Sequence, residues 1–278
     1  MTRNAIIMAA GMSSRFAPLS LETPKALLNV KDEIMIERQI GQLREAGIDE
    51  IVIVVGYLKE KFEYLKEKYH VILVENPYYK QMNNFSTLYV AREYLKNTWI
   101  CSADNYFTEN VFMEESENAF YASEYVDGAT EEWCIKTDNT GKITGVQIGG
   151  ENAWVMKGHV FFNEKFSTQL LPYLEEAFQK KELWDEYWEN LYMAHMDEME
   201  MYIRKYDAGI IEEFDSIDEL RGFDVKYKER TGSKVLREIS EKLNCPEGKM
   251  TQMKPVKSNG EVIGFEFFCD GKKYEYSY

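Results

Sequence analysis

The sequence predicts an α/β fold: a doubly wound mixed, mostly parallel sheet with a small C-terminal α+β appendage. Up to about residue 105, short apolar runs alternate with longer amphipathic ones, the βαβ rhythm of a parallel sheet flanked by helices. From residue 119, strand-like runs follow one another with a hairpin turn between two of them, which extends the sheet in mixed sense. Residues 230–278 change character again, to one amphipathic helix and three strand-like runs. The chain is therefore read as a main domain over 1–229 and an αβββ segment over 230–278.

Each element has a local reason. Residues 5–9, 51–55, 71–74 and 99–103 are short apolar runs of the kind buried in parallel sheets. Residues 34–46, 58–68 and 85–95 carry apolar side chains at helical spacing, and Gly47 stands where a helix C-cap belongs. Four strands are expected over 119–125, 133–137, 143–148 and 154–162, with Asp138-Asn-Thr-Gly-Lys142 as the turn between the middle two. Helices follow over 164–181 and 185–196, then a strand near 201–204. Ser216-Ile-Asp-Glu219 fits a capping box, so a helix starts immediately after Asp215. In the tail, a helix over 235–243 precedes strands over 250–256, 262–268 and 273–278, the last two turning at Cys269-Asp-Gly-Lys272. A unit that small buries too little surface to stand alone.

Composition excludes several classes. A formal net charge of −15, from 33 Lys+Arg against 48 Asp+Glu, opposes nonspecific binding to nucleic acid or anionic membrane. An anionic substrate must be drawn by local cations or arrive with a metal ion. No window approaches the roughly 20 apolar residues of a membrane span, and the apolar run at 5–10 is too short for a signal peptide. A cytoplasmic protein is expected. The 4 cysteines, Cys101, Cys134, Cys245 and Cys269, contain no Cys-x-x-Cys pair and read as reduced structural thiols. Nothing in the sequence sets the oligomeric state.

The densest signal lies at the start. Ala9, Ala10, Gly11, Met12, Ser13 and Ser14 follow the first strand, and such small residues let backbone N–H groups close on an anion, although an ordinary turn has the same composition. Arg15 and the Pro-fixed Lys25 add the point charges that would hold a triphosphate, with Lys25 expected to be reachable from solvent. Together with Thr23-Pro24-Lys25, the loop resembles the nucleotidyltransferase (pyrophosphorylase) family, whose pattern is a strand, Ala-Ala-Gly-x-Gly-(Ser/Thr)-Arg, then Pro-Lys. Ser13 replaces the second glycine of that pattern and is strained if a positive φ is needed there. The resemblance implies a Rossmann-like nucleotidyltransferase fold. It also implies a Mg2+ ion held by Asp104, after the 99–103 strand, and by Asp215. Read alone, an aspartate at a strand end is also a common turn former.

Inner motifs narrow the resemblance. Ala103-Asp-Asn-Tyr106, Asn83-Asn-Phe-Ser86, Val55-Gly-Tyr-Leu-Lys59 and Tyr187-Trp-Glu-Asn190 look like bacterial CTP:phosphocholine cytidylyltransferases over roughly residues 4–225. What this implies is transfer of a cytidylyl group from CTP to phosphocholine, giving CDP-choline and pyrophosphate. Arg15, Lys25 and Asp104 would be catalytic, and Gln81, Asn83 and Asn84 would read the pyrimidine edge; the two asparagines could equally cap the helix they precede. A quaternary ammonium is held by aromatic faces and a nearby carboxylate. Trp133, Tyr187, Trp188 and Tyr192 are the expected cage, with Asp185 or Glu213 as counter-charge. Trp184, Trp188 and Tyr192 also fall at i, i+4, i+8, a stripe that a helix commonly buries as core. Two rival readings stay open: a sugar-1-phosphate nucleotidyltransferase, and a nucleotide-binding sensor without turnover. The tail resembles the opening of a choline-kinase-like domain but lacks its Gly-rich loop and catalytic aspartates, so packing or dimerisation is its expected role.

Overall fold

A computed structural model describes residues 3–113 and 116–278. Backbone contacts divide the chain into two compact units, Met1–Gly11 with Arg38–Glu212, and Met12–Glu37 with Glu213–Tyr278. The boundary expected at 229/230 falls inside the second unit, because an excursion from near the N-terminus packs with the C-terminal segment.

The first unit is built on a seven-stranded sheet. Its strands run in the order Tyr202–Tyr206, Phe120–Thr137, Ile143–Phe162, Asn97–Ser102, Arg3–Ala9, Glu50–Val55 and Ile72–Glu75. Arg3–Ala9 pairs parallel with both neighbours, placing Ile7 opposite Ile53 on one side and Cys101 on the other. Ile72–Glu75 and Tyr202–Tyr206 also join in parallel, whereas Ile143–Phe162 runs antiparallel to the strands on either side. The sheet is mixed and mostly parallel, as the alternating pattern predicts. Ile6, Val52, Val54, Ile100 and Phe162 turn one face toward the helices Phe85–Val90, Glu164–Gln179 and Trp188–Ala194, which bury it with Leu88, Phe166 and Trp188.

Local signals mark the turns accurately and the element lengths less so. Gly47 follows the helix Met35–Glu45 at φ +73°, its N–H donating to the Arg44 carbonyl at 2.9 Å. Asp138 closes the predicted hairpin by accepting from the N–H groups of Thr140 at 2.8 Å and Lys142 at 3.1 Å. The four strands expected between 119 and 162 are two long ones, Phe120–Thr137 and Ile143–Phe162. Gly128 and Gly149 take positive φ (81° and 76°) near irregularities in the register, so each strand continues through polar stretches that looked like breaks. The helices expected over 58–68 and 85–95 shorten to Tyr64–Tyr69 and Phe85–Val90, each joined to a single 3-10 turn. Among the described residues, no helix is long and apolar enough to cross a membrane.

In the second unit, Thr251–Ser258, Glu261–Cys269 and Lys272–Ser277 form an antiparallel sheet whose last turn has Asp270 and Gly271 at positive φ (48° and 77°), the two-residue turn that Asp-Gly favours. The helix Lys234–Leu243 is capped by Ser233, whose hydroxyl accepts from the Leu236 N–H at 3.0 Å. Cys245 and Cys269 are joined in a disulfide, which corrects the expectation of reduced thiols throughout; Cys101 and Cys134 are free and buried. A separation of 24 residues gives no sign of the pairing, since only the fold brings the region after the helix to the end of a strand.

Candidate active site

In the first unit, the carboxyl ends of the parallel strands carry Ala9, Ala10, Gly11 and Asp104, where a doubly wound sheet presents its ligand-binding groups. Met8 lies opposite Ser102 in the ladder and the Ala103 N–H donates to the Met8 carbonyl at 3.3 Å. The Asp104 turn therefore leaves the sheet beside the small-residue loop. Gln39 holds that turn from behind, one amide nitrogen donating to the carbonyls of Ser102 at 2.9 Å and Asn105 at 2.7 Å. Asp104 itself is half-buried. The Ala10 carbonyl accepts from the Tyr57 N–H at 3.1 Å, and a Cβ on Gly56 would stand 2.8 Å from that carbonyl, so the loop needs glycine there.

The second unit holds the rest of the loop. Ser13 is left-handed (φ 46°, ψ 46°), as the family's glycine at that position foreshadows, and its carbonyl accepts from the Phe16 N–H at 2.8 Å. The strand Thr251–Ser258 lies against the resulting Ser14–Phe16 turn. Arg15 and Asp215 meet at 2.7 Å, with side chains 72% and 43% exposed. A pair that open contributes at most about 1 kcal/mol. Ser216 and Glu219 form the predicted capping box, and the Glu219 carboxylate also accepts the Asp215 N–H at 2.7 Å.

Lys25 corrects the expectation of an open lysine. It is only 6% exposed, its Nζ 5.0 Å from the centroid of Phe16. The turn Lys25–Leu27 that follows Pro24 packs Lys25 and Ala26 inward, which the dipeptide Pro-Lys does not reveal.

The aromatic residues of the first unit separate into two sets. Trp133, half-buried, meets the 43%-exposed Tyr187 edge to face at 5.8 Å. Trp188 and Tyr192 are fully buried, Trp188 stacked on Tyr121 at 5.9 Å and Tyr192 against Phe166 at 5.6 Å. Those two belong to the core and not to a cage, a correction that helical spacing already allowed. The helix expected from 185 begins at Trp188, leaving Asp185 exposed with its carbonyl accepting from the Asn83 amide at 3.0 Å. Glu213, also exposed, lies in the second unit.

The side chains of Asn83 and Asn84 are engaged with the segment 184–189 and not in capping the helix they precede. Asn83 N–H donates to the Trp184 carbonyl at 2.7 Å, and the Asn84 side chain accepts from the Trp188 N–H at 2.8 Å while donating to Glu189 at 3.1 Å. Asn84 has helical dihedrals and makes no side-chain cap. Both amides thus clasp the segment 184–189, and Gln81 is exposed at the surface. Glu189, which the sequence offers beside Asp185, Glu212 and Glu213 as a carboxylate near the aromatics, is the buried one of the four. Only 9% exposed, it accepts from the Tyr121 hydroxyl at 3.1 Å, and burial pushes its carboxyl up to about 7 against the opposing hydrogen bonds from Asn84 and Tyr121.

A mostly parallel sheet with a small-residue loop and an aspartate at its carboxyl edge is the architecture of nucleotidyltransferases, and the chain belongs to that family. The family described as MobA-like NTP transferase domain matches residues 5–134. Over 217 residues the chain is 36% identical to the choline-phosphate cytidylyltransferase of Streptococcus pneumoniae, covering 78% of this chain and 95% of that protein. It is 37% identical over 228 residues to the 2-aminoethylphosphonate cytidylyltransferase of Lancefieldella rimae, covering 81% and 93%. The solved structure of the CTP:phosphocholine cytidylyltransferase from Streptococcus pneumoniae superposes with a TM-score of 0.77 at 36% identity, covering 80% of this chain and 97% of that one.

Proposed function

We propose that this chain joins CTP and phosphocholine to give CDP-choline and pyrophosphate. The observation that carries the reading is the 36% identity to a choline-phosphate cytidylyltransferase across 95% of that protein's length. In the reaction, a phosphate oxygen of phosphocholine attacks the α-phosphorus of CTP in line, and the bond to pyrophosphate breaks. The acceptor is already a dianion near neutral pH, so no protein base is required; positioning and charge neutralisation supply the acceleration.

The backbone N–H groups of Ala9, Ala10, Gly11, Met12, Ser13 and Ser14 receive the phosphates, and Arg15 and Lys25 neutralise them. The family generally uses a divalent metal. For this chain we take it to be Mg2+, held by Asp104 and Asp215: a hard cation of this kind asks for one or two carboxylates, the rest of its shell being water and phosphate oxygen, and oxygen is what these residues offer. When bound, it would withdraw charge from the α-phosphate. Gln81 faces the cytosine. Trp133 and Tyr187 supply the ring faces for the trimethylammonium, and Glu189 supplies the counter-charge in place of Asp185 or Glu213.

Residues 1–229 are read as the transferase domain and 230–278 as its accessory segment, in keeping with relatives that match 78% and 81% of the chain. Catalysis is assigned to the cytoplasm, where CTP is made. The Cys245–Cys269 bond pulls the other way, since disulfides persist mainly in oxidising compartments.

A second acceptor, 2-aminoethylphosphonate, is favoured by the Lancefieldella rimae relative. Pyrophosphate release measured for CTP, UTP, ATP and GTP against phosphocholine, phosphoethanolamine, 2-aminoethylphosphonate and glucose-1-phosphate decides among them. The proposal expects CTP with phosphocholine to give the highest kcat/KM. A primary amine as best acceptor moves the chain to the second reading, and a sugar phosphate as best acceptor overturns both.

A further inference from the structure

Within the second unit, the Glu22 side chain ties the turn that carries Lys25 to the C-terminal segment. The helix Leu19–Glu22 ends at Glu22, and Thr23-Pro24-Lys25 follows directly. The Glu22 carboxylate accepts from the Ser233 hydroxyl at 2.6 Å, the Lys234 N–H at 2.8 Å and the Val235 N–H at 3.2 Å, all at the start of the helix Lys234–Leu243. Ser233 is 2% exposed and caps that helix itself, so the contact is made to an ordered and buried group.

A cavity of about 220 Å3 lies between the two segments, with Leu19, Thr23, Leu27, Tyr227 and Thr231 on its walls. Where this pocket separates the side chains dispersion contacts are fewer, and the charge-assisted hydrogen bonds of Glu22 contribute to the alignment. Further along the excursion the chain is pinned again, the Tyr227 hydroxyl donating to the Asn29 carbonyl at 2.9 Å and the Lys31 N–H to Asp224 at 2.8 Å. Between those anchors Pro24 removes one backbone freedom, so a shift at Glu22 passes to Lys25.

We propose that Glu22 is a positioning residue: by clasping Ser233–Val235 it fixes the Lys25 turn and sets where the lysine ammonium meets the triphosphate. This makes the C-terminal segment a brace for nucleotide binding, and it rests on the reading of Lys25 as a triphosphate ligand.

The test is CTP binding by calorimetry on the full chain, on Glu22→Ala, Ser233→Ala and Lys25→Ala, and on the Glu22→Ala/Lys25→Ala double variant, with KM for phosphocholine measured alongside. Glu22→Ala is expected to weaken CTP roughly tenfold and Ser233→Ala roughly threefold, phosphocholine KM staying unchanged. In the Lys25→Ala background, Glu22→Ala is expected to add nothing, because its effect passes through the lysine. Losses that add in the double variant, or a folded Glu22→Ala chain that binds CTP normally, overturn the proposal and leave Lys25 in its role. A Lys25→Ala chain that binds CTP normally overturns the triphosphate reading, and the proposal with it. Should Glu22→Ala fail to fold, Glu22→Gln and Ser233→Ala carry the same comparison, each in combination with Lys25→Ala.

Discussion

Glu189 offers the sharpest test of the acceptor pocket, because burial holds its carboxyl at about 7 while Asn84 and Tyr121 supply its hydrogen bonds. If the ionised form is what balances a bound trimethylammonium, affinity must follow ionisation. With a value near 7, about one carboxyl in eleven is ionised at pH 6 and about ten in eleven at pH 8. CDP-choline is the suitable probe, since its phosphodiesters and quaternary amine do not titrate in that interval. Its dissociation constant is expected to fall roughly tenfold from pH 6 to pH 8 in the parent chain and to stay level in Glu189→Gln. Stability moves in the opposite sense. The folded carboxyl stays protonated above its ordinary value of 4.5, so its contribution to stability is complete below about pH 4.5 and is lost as the pH rises through about 7, roughly 3 kcal/mol in all. Urea unfolding at pH 5 and pH 8 should register most of that difference, and Glu189→Gln should abolish it. A CDP-choline affinity that ignores pH in the parent chain, or one that keeps the same slope in Glu189→Gln, refutes the assignment of Glu189 as counter-charge.

Three further outcomes follow from the aromatic and acidic residues. Trp133→Leu should raise KM for phosphocholine roughly five- to thirtyfold with KM for CTP unchanged, the loss of about 1–2 kcal/mol of cation–π attraction; equal damage to both substrates contradicts the cage. Trp188→Leu, made at a fully buried ring, should instead lower unfolding free energy by about 2–4 kcal/mol in urea titrations, and an unchanged midpoint contradicts its place in the core. Asp104→Asn and Asp215→Asn should each cut turnover at least about a hundredfold at limiting Mg2+ without lowering the melting temperature; near-normal turnover in either purified variant removes that aspartate from the metal site.

Local chemistry settled much of this protein before any tertiary contact. Gly47 after an amphipathic run, Ser216 three residues before Glu219, and Asp270 before Gly271 each sit where the backbone itself requires them, and helix ends and tight turns came out where expected. The apolar runs at 5–9, 51–55 and 99–103 likewise became neighbouring strands, since a run buried on both faces has few other places to go. Tertiary structure decided what depends on residues far apart in the chain. Trp188 and Tyr187 are adjacent in sequence, yet one is sealed in the core and the other faces outward, because only the sheet behind them fixes which side is inside. Lys25 is buried, Cys245 reaches Cys269, and Glu22 meets Ser233 for the same reason. Burial and partnership are properties of the assembled chain, whereas caps and turns are written within a few residues of where they act.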